Sequence, residues 1–420
     1  MTGSAAAVFI ILGGLALWFL PSRLISAWSS TTSISGGASD GGAVAGGGTP
    51  TTAAQIVILA LGGVVGVLGV ALSMSRHGEE KLEAERDQQR LEAERVSERR
   101  TRFATLVGLL ADVDKPMSRL AALHGLSALA DDWALAGNTD ESNVCASLIA
   151  EYLRSPIRDA KDPQKAADAQ VRNSAVQILH AHLAPESEHS LSTYTISLEG
   201  AVLESSVDLS NIVLHESAWL NLNGVQISGG SELNLSGIEM RDNAQLSFDG
   251  MVARDTATLN LRDASIDGKA SLRLEDAQAT DIARLDFRYM EVGGDARLAF
   301  SRLRISVSAT LDFNRASASG NMKLGLSKLE ATGEAKVRLC GLAFCDSSRL
   351  NLNDITVSDS AWLNLSGTKF VGSAQLNLNG AKLSDTSRLT LSKRMSDNDA
   401  SLIITDEIWK KGLAARESVT

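Results

Sequence analysis

The chain has 420 residues, 44% hydrophobic but only 4% aromatic, which leaves room for two or three modules built on small aliphatic side chains and excludes large aromatic cores. Its formal charge of −10 argues against a nucleic-acid backbone as the principal ligand. Three cysteines, Cys145, Cys340 and Cys345, are too few and too scattered for a disulfide framework or a thiolate ligand set, in keeping with a reducing compartment.

Two apolar runs come first. Ala5 to Leu20 and Gln55 to Ser73 carry no charge and approach or reach the length that crosses a bilayer, so transmembrane helices are expected over about 5–21 and 55–75, forming a hairpin within 1–76. Between them, residues 22–54 are a Ser, Thr and Gly tract with no pattern able to form a core, hence a flexible loop. Arg76, Lys81, Arg86 and Arg90 follow the second run while the loop holds only Arg23. The positive-inside rule then places the bulk of the chain in the cytoplasm, on a multi-pass anchor in the inner (plasma) membrane. The leader Met1 to Ala7 lacks the basic residue of a signal peptide, which favours a retained first span over a cleaved one. Gly62 and Gly66 form a small-xxx-small pair; either they let the two spans pack closely or they reflect the general abundance of glycine in membrane helices.

Residues 77–103 are almost entirely polar or charged and rich in helix formers, which predicts a solvated spacer helix. Leu82, Val96 and Phe103 fall on a heptad beat broken at Gln89, a weak coiled-coil signal. From 104 to 190 a small all-α domain of HEAT-like helix pairs is expected. Its apolar stripes include Leu106, Leu109 and Leu110, then Leu120, Leu123, Leu126 and Leu129. Asp114, Lys115 and Pro116 separate the first helix from the second. Thr139, Asp140 and Glu141 open the third, in which Val144, Leu148 and Leu153 are read as one face, and Pro156 and Pro185 end the third and fourth.

Residues 191–402 repeat every thirteen residues, with Leu220, Leu233, Leu246, Leu259, Leu272, Leu285, Leu298, Leu311 and Leu324 on the beat. The second and fourth places are nearly always Leu or Phe, the thirteenth is Ala or Ser, and the seventh and ninth are apolar, as in Val225 and Ile227. Alternation of this kind predicts strands, five inward places per copy, with the first and third places facing water. Gly224, Gly237, Gly250, Asp263 and Asp276 stand where a tight corner wants Gly or Asp. So short a unit cannot enclose a core alone, and a parallel β-solenoid follows. Thirteen residues per flattened turn and twenty-six per four-sided turn are both open. Residues 403–420, with Ile404, Ile408 and Trp409, are expected to cap the last copy.

The order of two apolar spans, a charged helix, then RRTRFATLVGLLADVDKPMSRLAALHGLSALA and QVRNSAVQILHAHL resembles the region preceding the repeats in membrane-anchored bacterial pentapeptide-repeat proteins, best over Arg102 to Ala130 and Val171 to Leu183. The Ala-x-Leu-x-Leu/Phe units at Ala257 to Leu261, Ala270 to Leu274 and Ala283 to Phe287 match that family's small residue two places before a central Leu or Phe. The five-residue beat is not kept, because every second unit is stretched to eight. The resemblance implies a pentapeptide-repeat-like quadrilateral solenoid, and for some members a role as an acidic mimic of nucleic acid.

Catalytic chemistry finds no constellation. Gly37 to Gly41 matches the nucleophile-elbow string but lies in the flexible loop, without the strand and helix that the motif needs. His180 and His182 are two apart on a helix and point in opposed directions, so they cannot share a metal. The corner acids Asp242, Asp255, Asp267, Asp295, Asp346 and Asp359 lack the spacing of calcium-binding solenoids. Cys340 and Cys345 take the fifth and tenth places of one copy. Trp219 and Trp362, each between Ser-Ala and Leu-Asn-Leu, either mark a contact surface or cover a neighbouring ladder. No catalytic, cofactor-binding or metal-ligating residue and no small-molecule substrate is expected. The expectation is a non-enzymatic, membrane-tethered scaffold whose cytoplasmic solenoid meets a protein partner or another copy of itself; the alternative is an acidic nucleic-acid mimic that binds a DNA-handling enzyme.

Overall fold

A computed structural model describes residues 51–405 and 408, apart from 113, 158–161, 186–190, 192, 393–394 and 396–399; in the first helix it describes side chains at Val70, Ser73 and Met74 and from Lys81 onward. The first expected span, the Ser/Thr/Gly tract up to residue 50 with Gly37 to Gly41, and the tail beyond 405 save Ile408 lie outside the described residues, whereas residues 51–54, expected as the end of the flexible loop, are helical. The chain divides into two compact units, Met1–Gln89 and Arg90–Thr420. In the first, the described backbone is helical from Thr51. Among the described residues no helix is long and apolar enough to cross a membrane. The second expected span, with Gly62 and Gly66, falls where side chains are largely outside the description.

Among the described residues four helices precede the strands: α1 (Thr51–Leu110), α2 (Pro116–Leu135), α3 (Thr139–Arg154) and α4 (Lys165–Leu183). The spacer helix and the first helix of the expected domain are one element, because only Gly108 interrupts the helix formers between Gly78 and Leu110. Pro116 starts α2, where a missing N–H costs nothing. Gly137, at φ +75°, ends it: the Gly137 N–H reaches the Ala134 carbonyl at 2.9 Å and the Asn138 N–H the Trp133 carbonyl at 3.0 Å. Leu123, Leu126, Leu129 and Trp133 of α2 pack with Ile149 and Leu153 of α3 and Val171, Ala175 and Leu179 of α4. The buried face of α3 is not the one expected through Val144, Leu148 and Leu153. Val144 is 46% exposed, and the buried face runs through Ser142, Cys145, Ala146, Ile149, Ala150 and Leu153. Its small residues allow close approach to α2 but are weak markers in a hydrophobic pattern.

Residues 195–403 form a parallel β-solenoid of about eight turns, compatible with a pentapeptide-repeat-like fold, with sheets of 9, 8, 8 and 7 strands on four faces. Face A runs from Thr195–Ser197 to Ser401–Ile403, face B from Val202–Leu203 to Lys382–Leu383, face C from Val207–Asp208 to Arg388–Thr390, and face D from Val213–Leu214 to Lys369–Phe370. Leu220 pairs with Leu246, and Leu246 with Leu272, so one turn is 26 residues and two sequence repeats complete it. The first turn is shorter, Thr195 pairing with Trp219 and Val202 with Gln226, because the corner between Leu203 and Val207 is tightened.

All five inward places are buried through most of the array, as in Ala218, Leu220, Leu222, Val225 and Ile227, and only partly at its end, as at Ala381 and Leu383. Leucine stacks on leucine along faces A and C, and at mid-array Phe287 and Phe313 stack one rung apart (centroids 4.7 Å), with Phe300 edge-on from the opposite face at 5.2 and 5.4 Å. Two positions per repeat turn the corner at positive φ. At the sixth place are Gly224, Gly237, Gly250, Asp263 and Asp276, as expected; the eleventh place behaves likewise, from Gly229 and Asp242 onward. Backbone crowds backbone where Gly333 lies over Val307, since a Cβ on Gly333 would stand 2.8 Å from the Val307 carbonyl oxygen.

Val307 itself is at φ +61°, where a β-branched side chain meets its own carbonyl. Val307→Gly is therefore expected to stabilise the fold by about 1 kcal/mol, the relief of left-handed strain less glycine's own entropy. Gly333→Ala should destabilise it, and thermal denaturation of the two variants against the parent chain reads both signs.

Candidate interaction surface

The third place of the repeat was expected to face water, yet Asn221, Ser247, Asp286, Asp312 and Asn364 are buried there. Their polar atoms are satisfied locally, for the most part by the backbone. The side-chain oxygen of an Asn or Asp at this place accepts the N–H two residues on: Asn223 to Asn221 at 3.1 Å, Asn314 to Asp312 at 3.1 Å and Ser366 to Asn364 at 2.9 Å. The side chain thus closes the corner that follows the strand. The Leu-Asn-Leu and Leu-Asp-Phe strings carried this signal, since a short amide or carboxylate side chain is what such a turn uses.

The corner acids act between turns. Asp242, Asp255, Asp346 and Asp359 each accept the N–H of the corner residue one turn earlier, namely Glu216 (3.1 Å), Gly229 (2.9 Å), Gly320 (2.8 Å) and Gly333 (2.9 Å). Asp267 accepts the Gly268 N–H at 2.7 Å, and Asp295 the Asn321 amide at 3.0 Å. Among the described residues no group of three or more His, Cys, Asp or Glu has the geometry to hold a metal ion. On face C, Asp286 and Asp312 lie within a cationic frame: Arg288 is 2.6 Å and Arg284 3.2 Å from Asp286, and Arg284 is 3.3 Å and Arg338 3.6 Å from Asp312. Burial alone would raise the Asp286 carboxyl, but the donors from Arg288 and the charge of Arg284 outweigh it and hold the group below the ordinary carboxylate range.

Trp219 and Trp362 are not brought together. Trp219 is on face A, paired with Thr195 and Gln245, and its indole nitrogen is buried without a hydrogen-bond partner among the described residues. Trp362 is on face C, paired with Lys336 and Arg388, and its Nε1 donates to Thr390 Oγ1 at 3.0 Å. Both lie half-buried against their own sheets. His180 donates from Nε2 to the Ser210 carbonyl at 2.8 Å, joining α4 to the first turn, and His182 Nε2 lies 2.8 Å from Ser127 Oγ. Cys145 is buried in the helical core, which pushes its thiol up to about 11. Cys340 Sγ donates to Asn314 Oδ1 on the turn before.

One cluster had no sequence signal. Asp168 of α4, 4% exposed, accepts from Arg119 Nη1 (2.5 Å), Tyr152 Oη (2.9 Å) and Arg172 Nε (3.0 Å), drawing α2, α3 and α4 together. Arg172 continues to the carbonyls of Leu153 and Ser155 at the end of α3. Burial pushes the Asp168 carboxyl up, but the donors from Arg172, Arg119 and Tyr152 prevail and hold it below its ordinary value; burial, then the bond to Asp168, raises Tyr152. Beside the cluster is a cavity of about 130 Å³ between α4 and the first turn, with Lys165 and Glu204 of its lining joined at 2.8 Å. A carboxylate already accepting three hydrogen bonds and held anionic makes a poor general base, so the arrangement fastens helices and offers no acid–base chemistry. Four residues scattered over 54 positions left nothing in the sequence to connect them. No family model, no curated protein and no solved structure matches the chain.

Asp168→Asn leaves the Arg119 charge buried and short of its counterion, and should cost about 3–5 kcal/mol. Because the folded-state carboxyl lies below its unfolded value, the stabilisation is complete above the ordinary carboxylate range and is lost as pH falls through the lowered folded value. Amide hydrogen exchange of α2 to α4 should show the neutral-pH loss in the variant, and the acid-dependent part should be missing from it.

Proposed function

We propose that the chain is a membrane-tethered, non-enzymatic scaffold of the pentapeptide-repeat type, whose solenoid presents its outward faces to a protein partner. In this reading residues 1–76 form the two-span anchor in the inner membrane, and the helical domain and solenoid are in the cytoplasm. The observation that carries it is the use of the polar groups. The third-place amides and corner carboxylates that would otherwise supply chemistry bond to backbone N–H groups of the solenoid, and the buried ions of the helical domain bond to one another. What is left to the outside is a long, regular surface fixed in shape, the property a docking platform requires. Corner carboxylates tied to backbone amides are poorly placed to imitate a free phosphate ladder, which ranks nucleic-acid mimicry below protein docking.

Fractionation with alkaline extraction tests the anchor: the full chain should stay with membranes and a chain lacking residues 1–76 should not. Proximity labelling from the C-terminal end tests the docking. A reproducible set of cytoplasmic proteins that is lost on deletion of residues 195–403 supports the reading, and a set unchanged by that deletion refutes it.

A further inference from the structure

Face A carries a feature unlike the rest of the solenoid. Arg297 pairs with Lys323, and Lys323 with Arg349, so three cations stand at the outward first place of consecutive turns. Turns stack about 4.8 Å apart, and like charges directly opposite in adjacent strands repel. All three side chains are exposed, and among the described residues none has an acid partner or a hydrogen bond. Several cations elsewhere are matched, Arg273 to Asp249 at 2.7 Å, Arg302 to Asp276 at 2.6 Å and Arg241 to Glu239 at 2.6 Å, and no other column stacks three cations on consecutive turns among the described residues. On face C the corresponding cations Lys336 and Arg388 are separated by Trp362. An uncompensated cationic column in a chain of net charge −10 is therefore a local arrangement and not a drift of composition.

The column borders a depression of about 740 Å³. Lys269, Arg273, Arg297 and Lys323 face it, against Glu275 and Asp295, and Ser271 and Ala299 leave its floor without long side chains. Glu275 is engaged by Arg302 at 3.3 Å and Arg273 by Asp249, while Asp295, bonded to the neutral Asn321 amide, keeps its charge; Lys269, Arg297 and Lys323 against Asp295 leave the groove net positive.

We infer that face A is a docking groove for an acidic α-helix of a partner protein, laid along the solenoid axis with a stripe of Glu or Asp side chains over Arg297, Lys323 and Arg349. Two dimensions select a helix. Its pitch of about 5.4 Å is near the 4.8 Å rise of the turns, so acids one helical turn apart stay within reach of successive cations, whereas same-side residues of an extended strand are about 6.7 Å apart and drift out of step. The strands of face A are three residues long, about 10 Å, which matches the 10–12 Å diameter of a helix with its side chains. The inference rests on the scaffold reading and names the chemistry of the partner and the face it uses.

The test titrates the full chain with two labelled alanine-rich helical peptides of identical composition, one with Glu in a single stripe and one with the same Glu residues spread around the helix, followed by fluorescence anisotropy. The striped peptide should bind at low salt, weaken steeply as salt rises, and lose at least about tenfold affinity to R297Q/K323Q/R349Q. The spread peptide should bind at least about tenfold more weakly, and K336Q/R388Q on face C should leave binding unchanged. Removing mutually repelling charges leaves the triple variant's melting temperature equal or higher, which separates lost binding from lost folding. Equal binding of the two peptides, or undiminished binding to the triple variant, overturns the inference. Binding of inorganic tripolyphosphate or of anionic vesicles with no binding of the striped peptide also overturns it and assigns the column to another anion. If proximity labelling recovers partners that depend on the solenoid but not on these three cations, the scaffold reading stands and this inference alone falls.

Discussion

Everything in the C-terminal half depends on one constraint, that beyond the shorter first turn each strand residue lies directly over its counterpart 26 positions earlier. The backbone hydrogen bonds of a parallel sheet impose it, as where the Gln245 N–H reaches the Ala218 carbonyl at 2.8 Å and the Leu222 N–H the Ser247 carbonyl at 2.7 Å. Once that register holds, inward leucines stack on leucines and alanines on alanines. Burial at roughly 1.5–3 kcal/mol per large side chain then accumulates along the array. No turn is stable by itself, since half of its inward surface is covered by the turn before it and half by the turn after. The helical domain supplies the missing neighbour for the first turn: its core is continuous with Leu191, Ile196, Leu198 and Leu203, and His180 and Arg154 hydrogen-bond to the carbonyls of Ser210 and Glu199.

The same register organises the polar groups. A corner residue at positive φ leaves its N–H turned outward, and an Asp one turn later accepts it. Third-place Asn and Asp residues close the corners from within a single turn. Side chains that would signal reactivity in a globular enzyme here complete the backbone's hydrogen bonding, because a chain that turns four times in 26 residues exposes many N–H groups that no strand partner reaches.

The fold was legible where a physical period produced it. Leu at the second place, Leu or Phe at the fourth and Ala at the thirteenth identify the inward face because strand alternation admits only one burial pattern. Gly and Asp mark the corners because few other residues accept a left-handed backbone. The turn length was not legible. Faces A and C carry nearly the same inward residues, so thirteen-residue and twenty-six-residue turns bury equivalent patterns. Two further features escaped because their signals are not local. The charge balance of buried Asp312 depends on Arg284 and Arg338 from the turns before and after it, and the Asp168 cluster joins residues whose neighbourhood exists only after α2, α3 and α4 have packed. Val144 was misread for a different reason. α3 buries Cys145, Ala146 and Ala150, and small residues weigh little beside an exposed valine in any hydrophobic pattern.

The central claim is the 26-residue turn, and a distance along the solenoid axis measures it. Gln245 and Gln375 occupy the same outward place of face A, linked by direct pairings through Ser271, Arg297, Lys323 and Arg349. Nitroxide labels at Gln245→Cys and Gln375→Cys, in a chain with Cys340 and Cys345 replaced by Ser, should give a backbone separation near five rises, about 24 Å, by pulsed electron double resonance. A separation near 48 Å, the ten rises that thirteen-residue turns require, contradicts the architecture and with it the cationic column and every ladder derived from the register.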